Sequence, residues 1–449
     1  MGWLSLLPPV LAILIAVWKR EVILALLVAI LAAETLLNNF NPFIGFLAAI
    51  DRISYVFSDA GNARILLFSL LIGAFLALIR QSGGVSAFVR WLLDTGLARG
   101  PRSVSLLTCI LGVCIFIESN LSVLACSTFA QSLFDRFRMS RARLAFLIDS
   151  TCAPVSVLIL LNGWGAFVLG LLQGYGLENP VSILIASISL NFYAITILIL
   201  AFYTAWSGRI HGILAMHENA LSSEPQAQAE NANGKVIYFP LPLIILVGGI
   251  IGFMFYTGNG SLIAGSGSAS VLYATCLATL VACILLSFNG MFRHRELVEI
   301  SLRGMGELLP VVSILLLAFA LGGSMQAMQT GAFVAGMISE ALPLWLIAPV
   351  VFLCACCISF TTGTSWGTFG ILVPVAIPIA LATGISPALL LAAVLGGGVF
   401  GDHCSPISDS TVLSSLASGC DHLLHVKTQL PYSLTAGGIS LVLFALAGL

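Results

Sequence analysis

The chain is 449 residues long, 59% apolar and only 8% charged, with a mean hydropathy of +1.08. That leaves too little polar surface to cover a soluble globule of this size, so the composition defines a polytopic membrane protein. A formal net charge of -1 argues against a nucleic-acid partner, and the eleven cysteines, almost all inside apolar runs, imply no disulfide framework.

The first apolar run, Trp3 to Trp18, has no basic region ahead of it and no small-residue cleavage site, and reads as a retained span rather than a cleaved signal. A window of roughly 19 residues then predicts ten spans, at about 3–18, 21–37, 65–79, 144–173, 181–205, 239–256, 270–288, 308–323, 386–416 and 431–448. Two further apolar runs, Ser103 to Gln131 and Leu344 to Ala382, are interrupted in the middle by polar residues with no charged loop around them. Each arm is about 15 residues, roughly 22 Å as helix against a ~30 Å hydrocarbon core, so both are expected to be re-entrant hairpins with tips at mid-membrane. The polar stretch Ser207 to Lys235 reads as a cytoplasmic linker.

With Lys19 and Arg20 in the cytoplasm, sixteen of the eighteen basic residues fall inside and only Arg52 and Arg64 outside, an asymmetry that a wrong span count would scramble. The first hairpin, bracketed by Arg99, Arg102 and the basic run from Arg136 to Arg143, enters from the cytoplasm. The second, between Glu340 and Thr383, has no basic flank and enters from outside.

Three landmarks recur across the chain: Gln81-Ser82-Gly83 against Gln329-Thr330-Gly331, Phe116 against Phe360, and the stretch Asp149 to Ser156 against Asp402 to Ser408, at offsets of 248, 244 and 252 residues. Hairpins entering from opposite sides make this an inverted-topology repeat, the architecture of secondary transporters that alternate access to one central site. The division that follows is scaffold helices in 1–60, a first repeat in 61–206, a linker in 207–238, scaffold helices in 239–307 and a second repeat in 308–449. The expected fold is all-α, with about ten transmembrane helices, two re-entrant hairpins and broken helices.

Charged and polar groups at bilayer depth face a cavity or a partner and mark ion or substrate paths. Four interruptions should converge on one site: Glu118-Ser119-Asn120 at the first tip, Asp149 to Pro154 in one broken span, Thr361 to Thr368 at the second tip, and Asp402 to Asp409 in the other broken span. The prolines Pro154 and Pro406 free backbone carbonyls, and exposed backbone is tolerated in a membrane only where it lines a cavity or is buried in protein. Hydroxyls, carbonyls and carboxylates are hard oxygen ligands suited to sodium. The candidate cation or substrate ligands are Glu118, Ser119, Asn120, Asp149, Thr151, Thr361, Thr362, Thr364, Ser365, Asp402, Ser405, Ser408 and Asp409. Candidates for proton coupling are Glu118, Asp149, Asp402 and His403, the last because imidazole titrates near physiological pH. Sodium, transported or coupling, is the only metal expected, at these same residues, and no cofactor is expected.

Each candidate has a competing structural role. Asp149 follows Arg141 and Arg143 and could form an interfacial salt bridge, Asp409 could cap the helix resuming at Ser410, and the tip hydroxyls could serve close packing. Glu34 and Glu307, near interfaces, read as structural, and Trp164 and Trp366 as packing or cavity walls. A hydrolase using Ser405 or Ser408 with His403 and Asp402 is the rival from another class, but relay members usually come from separate elements.

The segments Gly363 to Ala380 and Phe400 to Ser415 closely resemble the NhaC family of sodium/proton antiporters, and Asp135 to Val155 is similar to that family's first-half signature. The resemblance implies paired inward and outward hairpins, a scaffold with a moving transport domain, a homodimer and a location in a cell membrane, most simply a bacterial inner membrane. It implies sodium and protons as exchanged ions, with small organic acids such as malate and lactate as the alternative cargo. The chain departs from the family pattern at the first tip, where Ile117-Glu118-Ser119-Asn120 stands in place of a pair of aspartates.

Overall fold

A computed structural model of the protein describes residues 2–94, 96, 99–116, 118–173, 175, 177, 179–218, 234–261, 265–330, 333 and 343–449. Most of the expected linker (219–233), Glu340 beside the second hairpin, and the landmark residues Ile117 and Gly331 lie outside the described residues. Among those described, all regular structure is helical, as a lipid solvent requires when every backbone donor must be paired within its own segment. The helix starts are written into the sequence. Pro42, Pro101, Pro180, Pro240 and Pro387 each open a helix in its first turn, where the missing N–H has no partner to lose. Asn41 also caps the helix that Pro42 opens, and Asp59, Ser140 and Asp421 cap others, all by accepting from backbone N–H groups.

Among the described residues, eleven helices are long and apolar enough to cross a membrane, or twelve when the bent pair Val22–Leu37 and Pro42–Ser58, which turns through 119°, is counted as one span. Ten were expected, and part of the difference lies in the second hairpin. Its arms, Leu344–Thr362 and Ser365–Thr383, are 19 residues each, about 28 Å as helix and long enough to reach across most of the core. The first hairpin keeps a short arm, Pro101–Cys114, of 14 residues, followed by Ser119–Arg136. The span expected at 181–205 is two helices, Pro180–Leu190 and Phe192–Ser207, divided at Asn191, and the expected linker opens with a further turn of helix at Gly212–Glu218.

Both broken helices lie at the centre. The first runs from Arg141 to Leu158 and resumes as Gly163–Gln173; the second runs from Pro387 to Cys404 and resumes as Asp409–Ser418. In each leading segment sixteen of the eighteen residues are buried. The second break falls where expected. The first does not: the helix passes through Asp149 and Pro154 without interruption and parts at residues 159–162. Proline removes one hydrogen bond, yet the helix continues past it; at its end the Asn162 side chain bonds the Ser156 and Ile159 carbonyls in place of backbone partners.

The hairpins pack on these broken helices, Ile347–Thr362 along Pro387–Cys404 and Ser119–Arg136 along Arg141–Leu158, while Ala60–Gln81, Gly267–Phe288 and His294–Ala327 pack together on another side. Glycines permit the closest of these approaches: a Cβ on Gly304 would lie 2.2 Å from the Gly73 carbonyl oxygen, and one on Gly401 2.4 Å from Cβ of Ser359. The outer helices present Leu, Ile, Phe and Trp to the surroundings, for example Ile244, Phe255, Leu280 and Phe288, the pattern of a lipid-facing wall.

Candidate functional site

Four helices begin at one cavity. Glu118, Ser119 and Asn120 start the second arm of the first hairpin, Gly163 and Trp164 resume the first broken helix, Thr364 and Trp366 start the second arm of the second hairpin, and Asp409 and Ser410 resume the second broken helix. Together with Asp402 they line a space of about 290 Å³, closed on its apolar side by Phe68, Ile72, Val311 and Ile314. Helix starts carry unpaired N–H groups and a positive partial charge, which suits carboxylates. Three carboxylates face them, Glu118, Asp402 and Asp409, and no arginine or lysine is among the lining residues. Glu307, also on the rim, is paired with Arg80.

Asp402, 3% exposed, is the most tightly held. One carboxylate oxygen accepts from the Ser365 backbone N–H at 3.2 Å and from the Ser365 hydroxyl, the other from Ser359 Oγ at 3.5 Å. These contacts tie the end of the second broken helix to the tip of the second hairpin. That tip turns at Gly363, where φ is +70° and a Cβ would meet the Ile407 carbonyl at 2.7 Å, so the turn needs glycine twice over. Glu118 caps its own helix, accepting from the backbone of Asn120 at 2.9 Å and of Leu121 at 2.6 Å. Asp409 accepts from the Ser410 backbone at 2.9 Å, one position inside the N-cap, Ser408. The N-cap position weighed for Asp409 falls to Ser408, and Asp409, the first residue of the helix, lines the cavity. Trp164 and Trp366 stand against each other with ring centroids 4.7 Å apart and form an aromatic wall.

Of the sequence candidates, Glu118, Ser119, Asn120, Thr364, Asp402 and Asp409 line the cavity, with Ser365 bonded to Asp402. The others point elsewhere. Thr361 and Thr362 donate back to the carbonyls of Cys357 and Ile358 at 2.8 Å each. Thr151 does the same to Leu147 at 2.7 Å and packs against Gly112. Ser405 donates to the Phe360 carbonyl at 2.8 Å and Ser408 pairs with Ser410 at 3.0 Å, so both serve the helix break. His403 bonds Tyr193 Oη through Nδ1 at 2.9 Å. Neither serine therefore pairs with His403, and the hydrolase arrangement is not formed.

Asp149 does not line the cavity. It lies mid-helix, 1% exposed, and accepts from Ser414 Oγ at 3.1 Å and Gln429 Nε2 at 2.5 Å, with His425 Nε2 at 3.5 Å. The interfacial salt bridge weighed for it is absent, because Arg141 pairs with Asp135 at 2.6 Å and Arg143 with Glu218 at 3.3 Å. Glu34, read as structural, is buried and paired with Arg52 at 2.7 Å.

Asn162 was not foreseen. Its amide nitrogen reaches the carbonyls of Phe116, Ser156 and Ile159, each at 2.9 Å, and its oxygen accepts from the Gly165 backbone at 2.9 Å, joining the first helix break to the first hairpin tip. A lone asparagine before glycine inside an apolar run was the available signal. His425 and Gln429 were also missed, although His422, His425 and Gln429 recur at helical spacing and define a polar face. They precede the apolar core of the last span.

The architecture is that of a known transporter: MtrF of Neisseria gonorrhoeae, described as illuminating a class of antimetabolite efflux pumps, superposes with a TM-score of 0.60 over 90% of this chain and 84% of its own at 15% sequence identity. The fold is that of a multi-pass helical membrane protein. The model of the Na+/H+ antiporter family matches residues 164–449. An uncharacterized protein of Haemophilus influenzae is 32% identical over 99% of this chain and 90% of its own length, and the malate-2H+/Na+-lactate antiporter of Bacillus subtilis is 37% identical over 37% of this chain and 35% of its own. The chain belongs to the Na+/H+ antiporter family, as its signature segments suggested, and is a secondary antiporter of a cell membrane.

Proposed function

We propose that this antiporter exchanges sodium for protons, with sodium held in the cavity between the two hairpin tips. The observation that carries this reading is the meeting of Glu118, Asp402 and Asp409 at one cavity without a lysine or arginine among its lining residues. Uncompensated carboxylates at that depth are stable only with a cation, a proton or aligned dipoles beside them. Helix starts supply part of the compensation, and a bound cation supplies the rest. Asp402 is the principal ligand, Glu118 and Asp409 complete the negative field, and Ser119, Asn120 and Thr364 offer neutral oxygens.

In this proposal the hairpins and broken helices move as one unit against the remaining helices, an elevator-like alternation between two inverted repeats, with a second copy of the chain completing a homodimer. The tie between Asp402 and Ser365 supports such a unit, since it joins one broken helix to one hairpin. The test is reconstitution of the purified protein in vesicles with an internal pH indicator. Sodium added outside should raise the internal pH, and Asp402→Asn should abolish the response; a silent wild-type protein would refute sodium/proton exchange.

A second reading is favoured by the size of the cavity. About 290 Å³ is roughly ten times the ~30 Å³ share of one water molecule, and two indoles wall it. A small organic anion or amino acid would fit there beside the cation, with the helix starts meeting its carboxylate. One relative's own name includes malate and lactate. Under this reading vesicles stay silent to sodium alone and respond once a small carboxylic acid is supplied.

A further inference from the structure

We propose that Asp149 and His425 form a proton site separate from the cavity, and that the proton it holds is the one exchanged for the cation; the inference rests on the sodium/proton reading above. Both side chains are buried, at 1% and 0% exposure, on different helices, with Asp149 Oδ2 3.5 Å from His425 Nε2. His425 has no hydrogen-bond partner at either ring nitrogen, and Gln429 Oε1 and Ser433 Oγ on the same helix are also unpartnered. Such a cluster is poorly resolved as a purely structural feature, because buried polar groups are ordinarily satisfied. One proton shared by the carboxylate and the imidazole leaves the pair neutral; its loss leaves one buried negative charge.

The chemistry selects a proton over a metal cation. What surrounds Asp149 is a hydroxyl, an amide N–H and an imidazole, whereas sodium takes several oxygen acceptors. The other ionisable groups within electrostatic reach of Asp149 are His403 and Cys404 near the end of the second broken helix, Tyr193 of Phe192–Ser207, and Asp402 and Asp409 beyond. The first hairpin contributes Cys109 and Cys126, grouped around Cys152. On Asp149's own helix Arg143 is turned to Glu218 of Gly212–Glu218, and on the helix of His425 the Tyr432 hydroxyl meets the His211 backbone while Lys427 is exposed. No arginine or lysine therefore compensates Asp149 by contact.

Two bridges connect this site with the cavity. The short helix Asp409–Ser418 touches both, through Thr411 Oγ1 on the Asp402 carbonyl at 2.9 Å and Ser414 on the Asp149 carboxylate. Gln429 Nε2 reaches both the Asp149 carboxylate and the His403 carbonyl, the latter at 3.1 Å. A change of charge at Asp149 thus acts on the backbone that carries Asp402.

The test uses two fluxes in vesicles: exchange of labelled sodium for unlabelled sodium, which needs the cation site alone, and sodium-driven proton movement. Asp149→Asn should keep sodium/sodium exchange within about twofold of wild type and lose proton movement by about tenfold or more, the effect of ~1.4 kcal/mol. Retained proton movement overturns the proposal, and so does loss of both fluxes in protein that elutes and melts as wild type. His425→Gln, which preserves a polar side chain, should displace the pH profile of proton movement by one unit or more; an unchanged profile also overturns it. If wild-type protein exchanges no sodium in either assay, it is the sodium/proton reading that fails.

Discussion

The cavity at the hairpin tips and the pocket around Asp149 each bury an aspartate near the same helix break, yet they are built from opposite materials. At the cavity Glu118 and Asp409 sit where helices begin and Asp402, in the last turn of Pro387–Cys404, faces the start of Ser365–Thr383, so that backbone N–H groups and hydroxyls oppose them, with open space and an indole wall beside. Around Asp149 every partner is a side chain from the interior of a helix, and the carboxylate is packed to 1% exposure. Backbone dipoles fixed by a fold tolerate exchange of a loosely held ion, because they remain in place whether or not it is bound. A closed carboxylate–imidazole pair leaves room only for a proton. In the proposed account, selectivity lies in the ends of helices and proton handling in their middles.

The comparison breaks most sharply at Asp402. Asp402→Asn should reduce sodium-driven proton movement by about a hundredfold or more, since removing one member of a buried charged network costs roughly 3 kcal/mol. Residual transport near wild type would move the cation elsewhere. Asn162→Ala should next lower the thermal stability of the purified protein by about 2–3 kcal/mol, as buried carbonyls and the Gly165 N–H lose their partner. An unchanged melt would show that the first break is held by other contacts. Ser365→Ala leaves the backbone N–H on Asp402 and should raise the sodium concentration for half-maximal transport about ten- to a hundredfold, the weight of one hydrogen bond to a charged group. Thr361→Val and Thr362→Val should do least, within about 0.5 kcal/mol in stability and without effect on sodium dependence, because both hydroxyls bond back to their own helix. A large loss of sodium affinity in either would extend the site down the second hairpin.

Much of this arrangement is legible in the chain because lipid makes charge so rare. Asp402, Asp409 and Glu118 stand out against apolar flanks, and the polar tips at Glu118–Asn120 and Thr361–Thr368 mark where the hairpins turn. The pattern does not show which way a side chain faces. Asp402 and His403 are adjacent on one helix, about 100° apart around its axis, and they face different neighbours, Ser365 and Tyr193. Proline misled in one half of the chain: Pro154 lies inside a continuous helix while Pro406 lies in a break. The difference is whether neighbouring segments support the interrupted backbone, a tertiary property. The helix Pro42–Tyr55 was missed because its apolar stretch is short, although Asn41-Pro42 is a strong start signal.

The central claim, that the cation binds in the cavity and not at Asp149, is tested most directly by titrating sodium into the purified protein while following tryptophan emission, since Trp164 and Trp366 line the cavity. The account predicts a saturable sodium-dependent change that persists in Asp149→Asn and disappears in Asp402→Asn. A response lost in Asp149→Asn but intact in Asp402→Asn would contradict it.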